Sequence, residues 1–275
     1  MDIQILTYDQ VDPLEVWHLN QVALEYSLTP ERAALIRRLD PRPFPFFALY
    51  AAVDGVLAGQ VCVYRLPVVT VDGPEEMGGI SAVCTHPDYA RQGIAARLME
   101  EAHAHIRQAG MRFSTLGTSS HRGAYHLYRS LGYEDAARLG MATASRETAV
   151  RLGSLTARQT QPGEISLADD FYQRLAPGKI GFTRRLPGFL STLIAMGEIG
   201  QDSIWLINFG SDACGFTRVI HREPVLHLND ILLAEEASPA EATAALVRGT
   251  QADYISLETF QRPVLDNLAK AGYRI

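Results

Sequence analysis

The same order of predicted elements occurs twice along this chain of 275 residues, and this repeat restricts the fold more than any other feature. In the first half, the apolar runs 46–53 and 56–64 flank Asp54-Gly55, a pair typical of a β-hairpin turn. In the second half, the runs 204–209 and 213–220 flank a second turn. A strand, a helix, a strand and a helix are predicted after each hairpin. This order indicates an α/β protein with mixed sheets.

The last helices of the two halves end in similar residues, Leu131-Gly132-Tyr133 and Ala271-Gly272-Tyr273. Duplication of one unit explains both the order and the endings. The alternative is one large mixed domain with chance similarity. Residues 141–165, in which Thr, Gln, Ser and Gly are frequent, are predicted to join the copies. We therefore expect one domain over 1–145 and a second over 155–275.

Local signals predict the other elements. Helices are expected to begin at Asp12-Pro13 and Thr29-Pro30, where a capping side chain precedes a proline. Further predicted elements are strands at 67–71, 79–85, 111–116, 225–233 and 253–257, and helices from Ile94 to before Gly110, from Ser119 or Ser120 to Leu131, at 238–247 and at 263–270.

Composition and charge argue against several classes of protein. With 47% hydrophobic residues the chain is expected to fold rather than to be disordered. The net charge of −6 gives no electrostatic basis for binding nucleic acid or an anionic membrane. Three widely spaced cysteines support neither a disulfide framework nor a metal site. No signal peptide and no apolar run long enough to span a bilayer is found, so a cytoplasmic protein is expected.

The clearest chemical signal lies in residues 83–99, VCTHPDYARQGIAARLM, where a strand ends, a short loop turns and a helix begins. The small residues Gly93 and Ala95 would let a bulky ligand approach the backbone. The unpaired N–H groups of the first helical turn and the positive end of the helix dipole form an anion site. Arg91 and Arg97 can add positive charge. The alternative is a plain strand–helix connection in which Gly93 only relieves crowding.

This segment resembles motif A of the GCN5-related N-acetyltransferase (GNAT) family, (Gln/Arg)-x-x-Gly-x-(Gly/Ala). Gly93 and Ala95 fill the last two required positions, whereas Ala90 stands at the first, where the family has Gln or Arg. The family's later motif is matched by residues 124–133, AYHLYRSLGY. His121 stands at the spacing where many members have Asn.

The resemblance implies that the first copy binds acetyl-CoA as a cosubstrate. No metal is expected, because His103 and His105, two residues apart on a helix, point to different faces. The pyrophosphate would lie at the start of the helix, and the pantetheine arm would follow the strand that precedes the loop. The residues expected to bind acetyl-CoA are Val83, Cys84, Thr85, Arg91, Gln92, Gly93, Ile94, Ala95, Ala96 and His121.

The resemblance also gives Tyr128 a catalytic role, because the family's Tyr at this place commonly lies near the thioester sulfur. A phenol with a pKa near 10 is protonated at neutral pH and can donate a proton to the departing CoA thiolate. The alternative role of Tyr128 is packing. No general base is assigned, because strand 79–85 carries no acidic residue and Glu75, Glu76 and His86 lie outside it.

The second copy lacks this cradle. Its corresponding residues 234–240, AEEASPA, contain no glycine, and their two carboxylates would repel a pyrophosphate. Pro239 also removes one backbone N–H donor. Alignment of the two Gly-Tyr endings places Leu268 opposite Tyr128. We expect the second copy to keep the fold without binding acetyl-CoA.

The function expected from these features is N-acetyl transfer from acetyl-CoA to a primary amine, either in a small molecule or in a peptide. Whether the chain forms a homodimer is left open. The alternative function is a non-catalytic module that binds or senses acyl-CoA through the same cradle.

Overall fold

The chain forms two compact units in a computed structural model that describes residues 2–150, 153–175 and 183–275. The first unit contains the described residues up to Glu134 together with Thr183 and Arg184. The second contains the other described residues from Asp135 onwards. Each unit has its own sheet and its own hydrophobic core.

The first unit is a five-stranded mixed sheet with helices on both faces. Its elements are β1 (Ile3–Thr7), α1 (Pro13–Leu24), α2 (Pro30–Leu39), β2 (Pro43–Val53), β3 (Val56–Thr70), β4 (Gly73–Thr85), α3 (Ile94–Gln108), β5 (Ser114–Thr115) and α4 (Ala124–Ser130). The strand order is β1-β2-β3-β4-β5. All neighbouring strands are antiparallel except β4 and β5, which are parallel.

Helices α1 and α2 begin where the capping residues predict. The side chain of Asp12 accepts a hydrogen bond from the N–H of Leu14, and that of Thr29 accepts one from the N–H of Arg32. A proline follows each cap at the first helical position, where the backbone N–H that proline lacks would have no partner within the helix. These two caps confirm the predicted helix starts.

The second unit is a six-stranded mixed sheet. Its elements are β6 (Gly140–Ser145), α5 (Arg146–Ala149), β7 (Thr156–Gln159), α6 (Ile165–Leu175), α7 (Phe189–Ala195), β8 (Ile204–Phe209), β9 (Asp212–Arg222), β10 (Val225–Leu233), α8 (Pro239–Arg248), β11 (Tyr254–Thr259) and α9 (Arg262–Lys270). The strand order is β6-β11-β10-β9-β8-β7. Strands β10 and β11 are parallel, as β4 and β5 are in the first unit.

The two sheets share their irregularities. The register of each hairpin shifts by one residue just before a glycine, which is Gly59 in β3 and Gly215 in β9. An added Cβ would lie 2.9 Å from the carbonyl oxygen of Cys84 at Gly59, and 2.6 Å from that of Leu232 at Gly215. Both positions therefore need glycine for the same close approach of strands, which argues for duplication and against chance similarity.

A tyrosine fastens the end of each unit in the same way. The hydroxyl of Tyr133 lies 2.9 Å from Nε2 of His103, and the hydroxyl of Tyr273 lies 2.9 Å from Oγ1 of Thr243. In each unit the two partners are 30 residues apart, and the earlier one lies on α3 or α8. The predicted pair of α/β units with mixed sheets is confirmed.

Several predicted boundaries in the first unit are wrong. The predicted strand 67–71 is not separate, because β3 continues through it and pairs with β4 as far as their turn. Only two residues of the predicted strand 111–116 form β5. The helix expected from Ser119 or Ser120 begins later, at Ala124, because the preceding residues form turns.

The described residues of 141–165, the segment predicted to join the copies, belong to the second unit. They contain α5, β7 and most of β6, and both strands belong to the second sheet. Strand β6 pairs with β11 along its whole length. The first compact unit contains the described residues up to Glu134 together with Thr183 and Arg184, and Asp135 already belongs to the second.

Candidate active site

The edge of β4 that faces β5 is open over most of its second half. The two strands pair only at Gly78↔Ser114 and Gly79↔Thr115, and among the described residues no strand pairs with 80–85 on that side. An open edge presents backbone N–H and C=O groups that an extended, amide-containing ligand can use as a strand would. Three residues predicted to bind acetyl-CoA, Val83, Cys84 and Thr85, lie on this edge.

A β-bulge in β4 precedes these three residues. Ala82 has φ +49°, a conformation that L-residues seldom adopt, and the pairing with β3 shifts between Gln60 and Cys62. A bulge changes the direction of the following backbone groups, and strained backbone tends to occur at functional sites. The bulge therefore changes the direction of the backbone just before the three predicted binding residues.

Gly93 is the N-cap of α3 and adopts φ +81°. No atom lies within 4 Å of the position that a Cβ would take there. The glycine is thus required by the left-handed backbone and leaves open space above the helix start. Relief of crowding, the alternative explanation from the sequence, does not account for it.

The first turn of α3 offers free donors. The first backbone hydrogen bond of the helix joins the N–H of Arg97 to the carbonyl of Gly93. Among the described residues, the N–H groups of Ile94, Ala95 and Ala96 have no acceptor, as expected for a first helical turn. Ala95 and Ala96 have small side chains that do not cover these groups, while Ile94 is buried in the core. The geometry suits a pyrophosphate.

The charged and polar side chains of the loop are exposed. Arg91 has φ +62° and an exposed side chain, and Gln92 beside it is exposed as well. Arg97 forms long ion pairs of 3.7 Å with Glu100 and Glu101, so its charge is partly engaged within α3. Arg91 is therefore better placed than Arg97 to add charge at the cradle.

Tyr128 is buried on α4, with 8% of its surface exposed. Its ring contacts that of Tyr133 edge to face, with 6.0 Å between centroids. Among the described residues its hydroxyl makes no hydrogen bond, whereas the Tyr133 hydroxyl contacts both His103 and Ser114. Burial raises the pKa of Tyr128 above 10, and the positive charge of Arg122 opposes this shift. Tyr128 therefore stays protonated at neutral pH, and its hydroxyl can donate a hydrogen bond or a proton.

Sequence reasoning missed Arg122, the charge that acts on Tyr128. It lies in the turn before α4, two residues after Ser120, and no motif marks it. His121, predicted to bind acetyl-CoA, is its exposed neighbour in the same turn. The structure therefore places a cationic side chain next to the predicted position.

Cys84 is a buried thiol rather than a nucleophile. Burial raises its pKa to about 12, so it remains protonated near neutral pH. The Cys84 side chain therefore contributes to packing on the strand that is predicted to hold the pantetheine arm.

None of the three candidate bases is well suited to accept a proton. Hydrogen bonds from Arg112 and Thr70 lower the pKa of Glu75, and Glu76 forms an ion pair with Arg65. His86 accepts a hydrogen bond from the N–H of Asp88 through Nδ1, so the neutral ring carries its proton on Nε2. The general base stays unassigned.

The second unit differs from the first at the helix start. The end of α8 follows the end of β10 by 15 positions, from 233 to 248, whereas the end of α3 follows the end of β4 by 23, from 85 to 108. Helix α8 is therefore shortened where the cradle would be. The side chain of Asn267 accepts a hydrogen bond of 3.0 Å from the N–H of Ala240, so an internal amide fills the helix start.

The strands and the tyrosine differ as well. Strands β10 and β11 pair at five positions, from Val225 to Asn229, so their edge opens later than that of β4 and β5. Leu268, which aligns with Tyr128, is fully buried and has no donor. The described part of the second unit therefore has neither the open cradle nor a hydroxyl at this place.

In the described residues, no group of three or more His, Cys, Asp or Glu side chains lies close enough to hold a metal ion. Every helix within the described ranges is too short or too polar to cross a bilayer.

Residues 14–136 match the family model of the acetyltransferase (GNAT) domain. No curated protein matches the sequence. Among solved structures, the chain is similar to a probable N-acyltransferase of unknown function from Enterococcus faecalis, with TM-score 0.71 and 17% identity over 94% of this chain and 65% of that one. It is also similar to a GCN5-related N-acetyltransferase from Kribbella flavida, with TM-score 0.69 and 16% identity over 97% of this chain and 67% of that one.

A tandem GNAT protein from the clavulanic acid biosynthesis pathway matches almost end to end, with TM-score 0.61 and 12% identity over 99% of this chain and 95% of that one. The present chain spans only about two thirds of the length of the Enterococcus and Kribbella proteins. At these identities the likeness concerns the fold.

Proposed function

Because residues 14–136 match the GNAT acetyltransferase model and the fold is similar to that of a tandem GNAT protein, we propose that the first unit transfers an acetyl group from acetyl-CoA to a primary amine. The amine belongs to a small molecule or to a peptide. The second unit is a degenerate copy that binds no acetyl-CoA.

The observation that carries this proposal is the contrast between the two units. The first has an open β4 edge, a helix start with free N–H donors, and a buried Tyr128 whose hydroxyl is unengaged among the described residues. The second has longer strand pairing, a helix start filled by Asn267, and Leu268. The first unit therefore offers donors that a ligand can use, and the second unit has an internal amide at the corresponding helix start.

The residues of the first unit would divide the work of the reaction. The N–H groups at the start of α3, with Arg91, would hold the pyrophosphate, and the β4 edge would align the pantetheine arm. The amine nitrogen attacks the thioester carbonyl carbon, and the C–S bond breaks. Tyr128 would give its proton to the departing sulfur, which avoids release of a free thiolate. The amine loses its own proton to a base that is not assigned.

The alternative is an acyl-CoA-binding or sensing module that performs no transfer. It uses the same cradle, and the retained Tyr128 favours the enzyme. A binding module would take up acetyl-CoA and release no CoA in response to an amine.

The test is detection of free thiol after the full chain is mixed with acetyl-CoA. Benzylamine, putrescine, glucosamine and alanine amide would each be added in separate reactions, with an amine-free reaction as the control. We expect at least one amine to accelerate CoA release. The binding module would be favoured if calorimetry showed that acetyl-CoA binds while no amine of a broader library accelerated the release of CoA.

A further inference from the structure

A reciprocal amide pair lies buried beneath the cofactor strand of the first unit. The side-chain amides of Asn20 on α1 and Gln60 on β3 exchange two hydrogen bonds of 2.9 Å, and each residue is only 1% exposed. Gln60 is the direct cross-strand neighbour of Cys84 on β4. Polar side chains cost free energy to bury, and such a pair adds little stability over apolar residues of the same shape.

Asn20 connects this pair to the end of α1. Its amide also donates a hydrogen bond of 2.8 Å to the carbonyl of Val16. The backbone carbonyl of Asn20 accepts hydrogen bonds from the N–H of Glu25, which has φ +54°, and from the N–H of Tyr26, the latter at 3.2 Å. The sheet, the helix and the turn that follows the helix are thus joined through one residue.

The second unit has an apolar contact at the corresponding place. Phe216 on β9 occupies the position of Gln60, because it pairs with Leu206 and Leu232 as Gln60 pairs with Tyr50 and Cys84. The ring of Phe216 meets that of Phe171 on α6, with 6.3 Å between centroids. The fold therefore does not need an amide pair at this position.

Helix α1 lies on the face of the sheet opposite α3. A Cβ at Gly59 would point at Ile94 and Leu98 of α3, and successive residues of a strand point to opposite faces, so Gln60 points at α1. The cradle occupies the α3 side. An amine that reaches the thioester from the other face meets α1 and the turn after it.

From these observations we propose that the Asn20–Gln60 pair positions the acceptor side of the active site. It holds the end of α1, with Glu25 and Tyr26, at a fixed place over β3 and β4. Two directional hydrogen bonds fix both the rotation and the translation of the helix, whereas an apolar contact allows sliding. The inference rests on the proposed transfer function and assigns the pair a positioning role in it.

The experiment replaces the pair by apolar residues of similar shape, Asn20→Leu with Gln60→Met, in the full chain. Thermal unfolding and acetyl-CoA affinity should stay close to wild type. For the amine among the four above that gives the fastest CoA release, kcat/KM should fall by about 10-fold or more, because small misplacement of reacting groups is costly. Backbone exchange of Glu25 and Tyr26 should accelerate. Phe216→Leu, the control at the corresponding position of the second unit, should leave the transfer kinetics unchanged.

A second variant covers the case in which the double variant does not fold. Gln60→Asn keeps an amide but shortens it by one methylene, and the same loss of kcat/KM without loss of acetyl-CoA affinity is expected. Wild-type kinetics in a folded variant would overturn the positioning role while leaving the transfer function intact. A wild-type chain that transfers to no amine would contradict the transfer function itself and the role of the pair with it.

Discussion

Two glycines at the ends of α3 allow a matched test of the cradle. Gly93 and Gly110 have φ +81° and +76°, and neither has an atom within 4 Å of an added Cβ. Replacing either by Glu should therefore cost similar backbone strain, about 1–2 kcal/mol. We expect Gly93→Glu to abolish acetyl-CoA binding, because a carboxylate would stand at the helix start, and Gly110→Glu to bind normally. Calorimetry measures the acetyl-CoA affinity of both variants. Equal affinities would show that acetyl-CoA does not bind at the first turn of α3.

Tyr128 on α4 and Tyr133 just after it allow a catalytic role to be distinguished from a packing role. Tyr128→Phe keeps the ring and removes only the hydroxyl, so the turnover number should fall by roughly 10²-fold or more with acetyl-CoA affinity little changed. Tyr133→Phe removes a hydroxyl that contacts His103 and Ser114, so it should lower the free energy of unfolding by about 1 kcal/mol per lost hydrogen bond and spare turnover. Steady-state kinetics and urea unfolding measure the two effects. Unaltered turnover in Tyr128→Phe would assign Tyr128 to packing.

At the scale of elements, the contact between His103 on α3 and Tyr133, which follows α4, should make the stability of the first unit depend on pH. Burial lowers the pKa of His103, and Arg107 lowers it further. A His whose folded-state pKa lies below its unfolded value near 6.5 contributes stability above that value and loses it as pH falls through the folded pKa.

The second unit suggests the matching variant, His103→Thr, since Thr243 makes the same contact with Tyr273. We expect the wild type to lose more stability than His103→Thr between pH 7.5 and pH 5, as measured by urea unfolding at both values. A parallel pH dependence of the two proteins would exclude His103 as the source.

The elements that sequence reasoning found were those with strong local signals. Asp12 and Thr29 mark helix starts by capping, and Asp54-Gly55 marks a hairpin, so each was correctly placed. Strand β6 was missed because its sequence, Gly140–Ser145, has small and polar residues and no apolar run, and its pairing with β11 supplies the stability. Short β5 was overestimated because an apolar run does not reveal how long two strands stay paired.

In the candidate site, too, the sequence revealed only features that are set by residues adjacent in the chain. Motif A predicted Gly93 and the free N–H donors of the first turn of α3 for this reason. Gln60 is a polar residue within an apolar strand, a visible signal, but its partner Asn20 is 40 residues away and only the tertiary fold joins them. The bulge at Ala82 has no local marker, since alanine rarely takes a positive φ.

For the whole molecule, we expect one acetyl-CoA bound per chain. The first unit has the cradle, and in the second unit Asn267 occupies the start of the shortened α8. Titration calorimetry of the full chain should therefore give a stoichiometry near one. Asn267→Ala, which frees the α8 helix start without lengthening its loop, should leave that value unchanged. Two equivalent sites would contradict the degeneracy of the second unit.

The open edge of β4 also bears on how the protein should be handled. Unpaired backbone groups along residues 80–85 form a template to which a strand of another chain can add, and such edges promote aggregation. A pantetheine arm lying on this edge would occupy those groups and act as a protective cover. Preparations concentrated with acetyl-CoA or CoA should consequently remain monodisperse at concentrations where the ligand-free chain begins to self-associate.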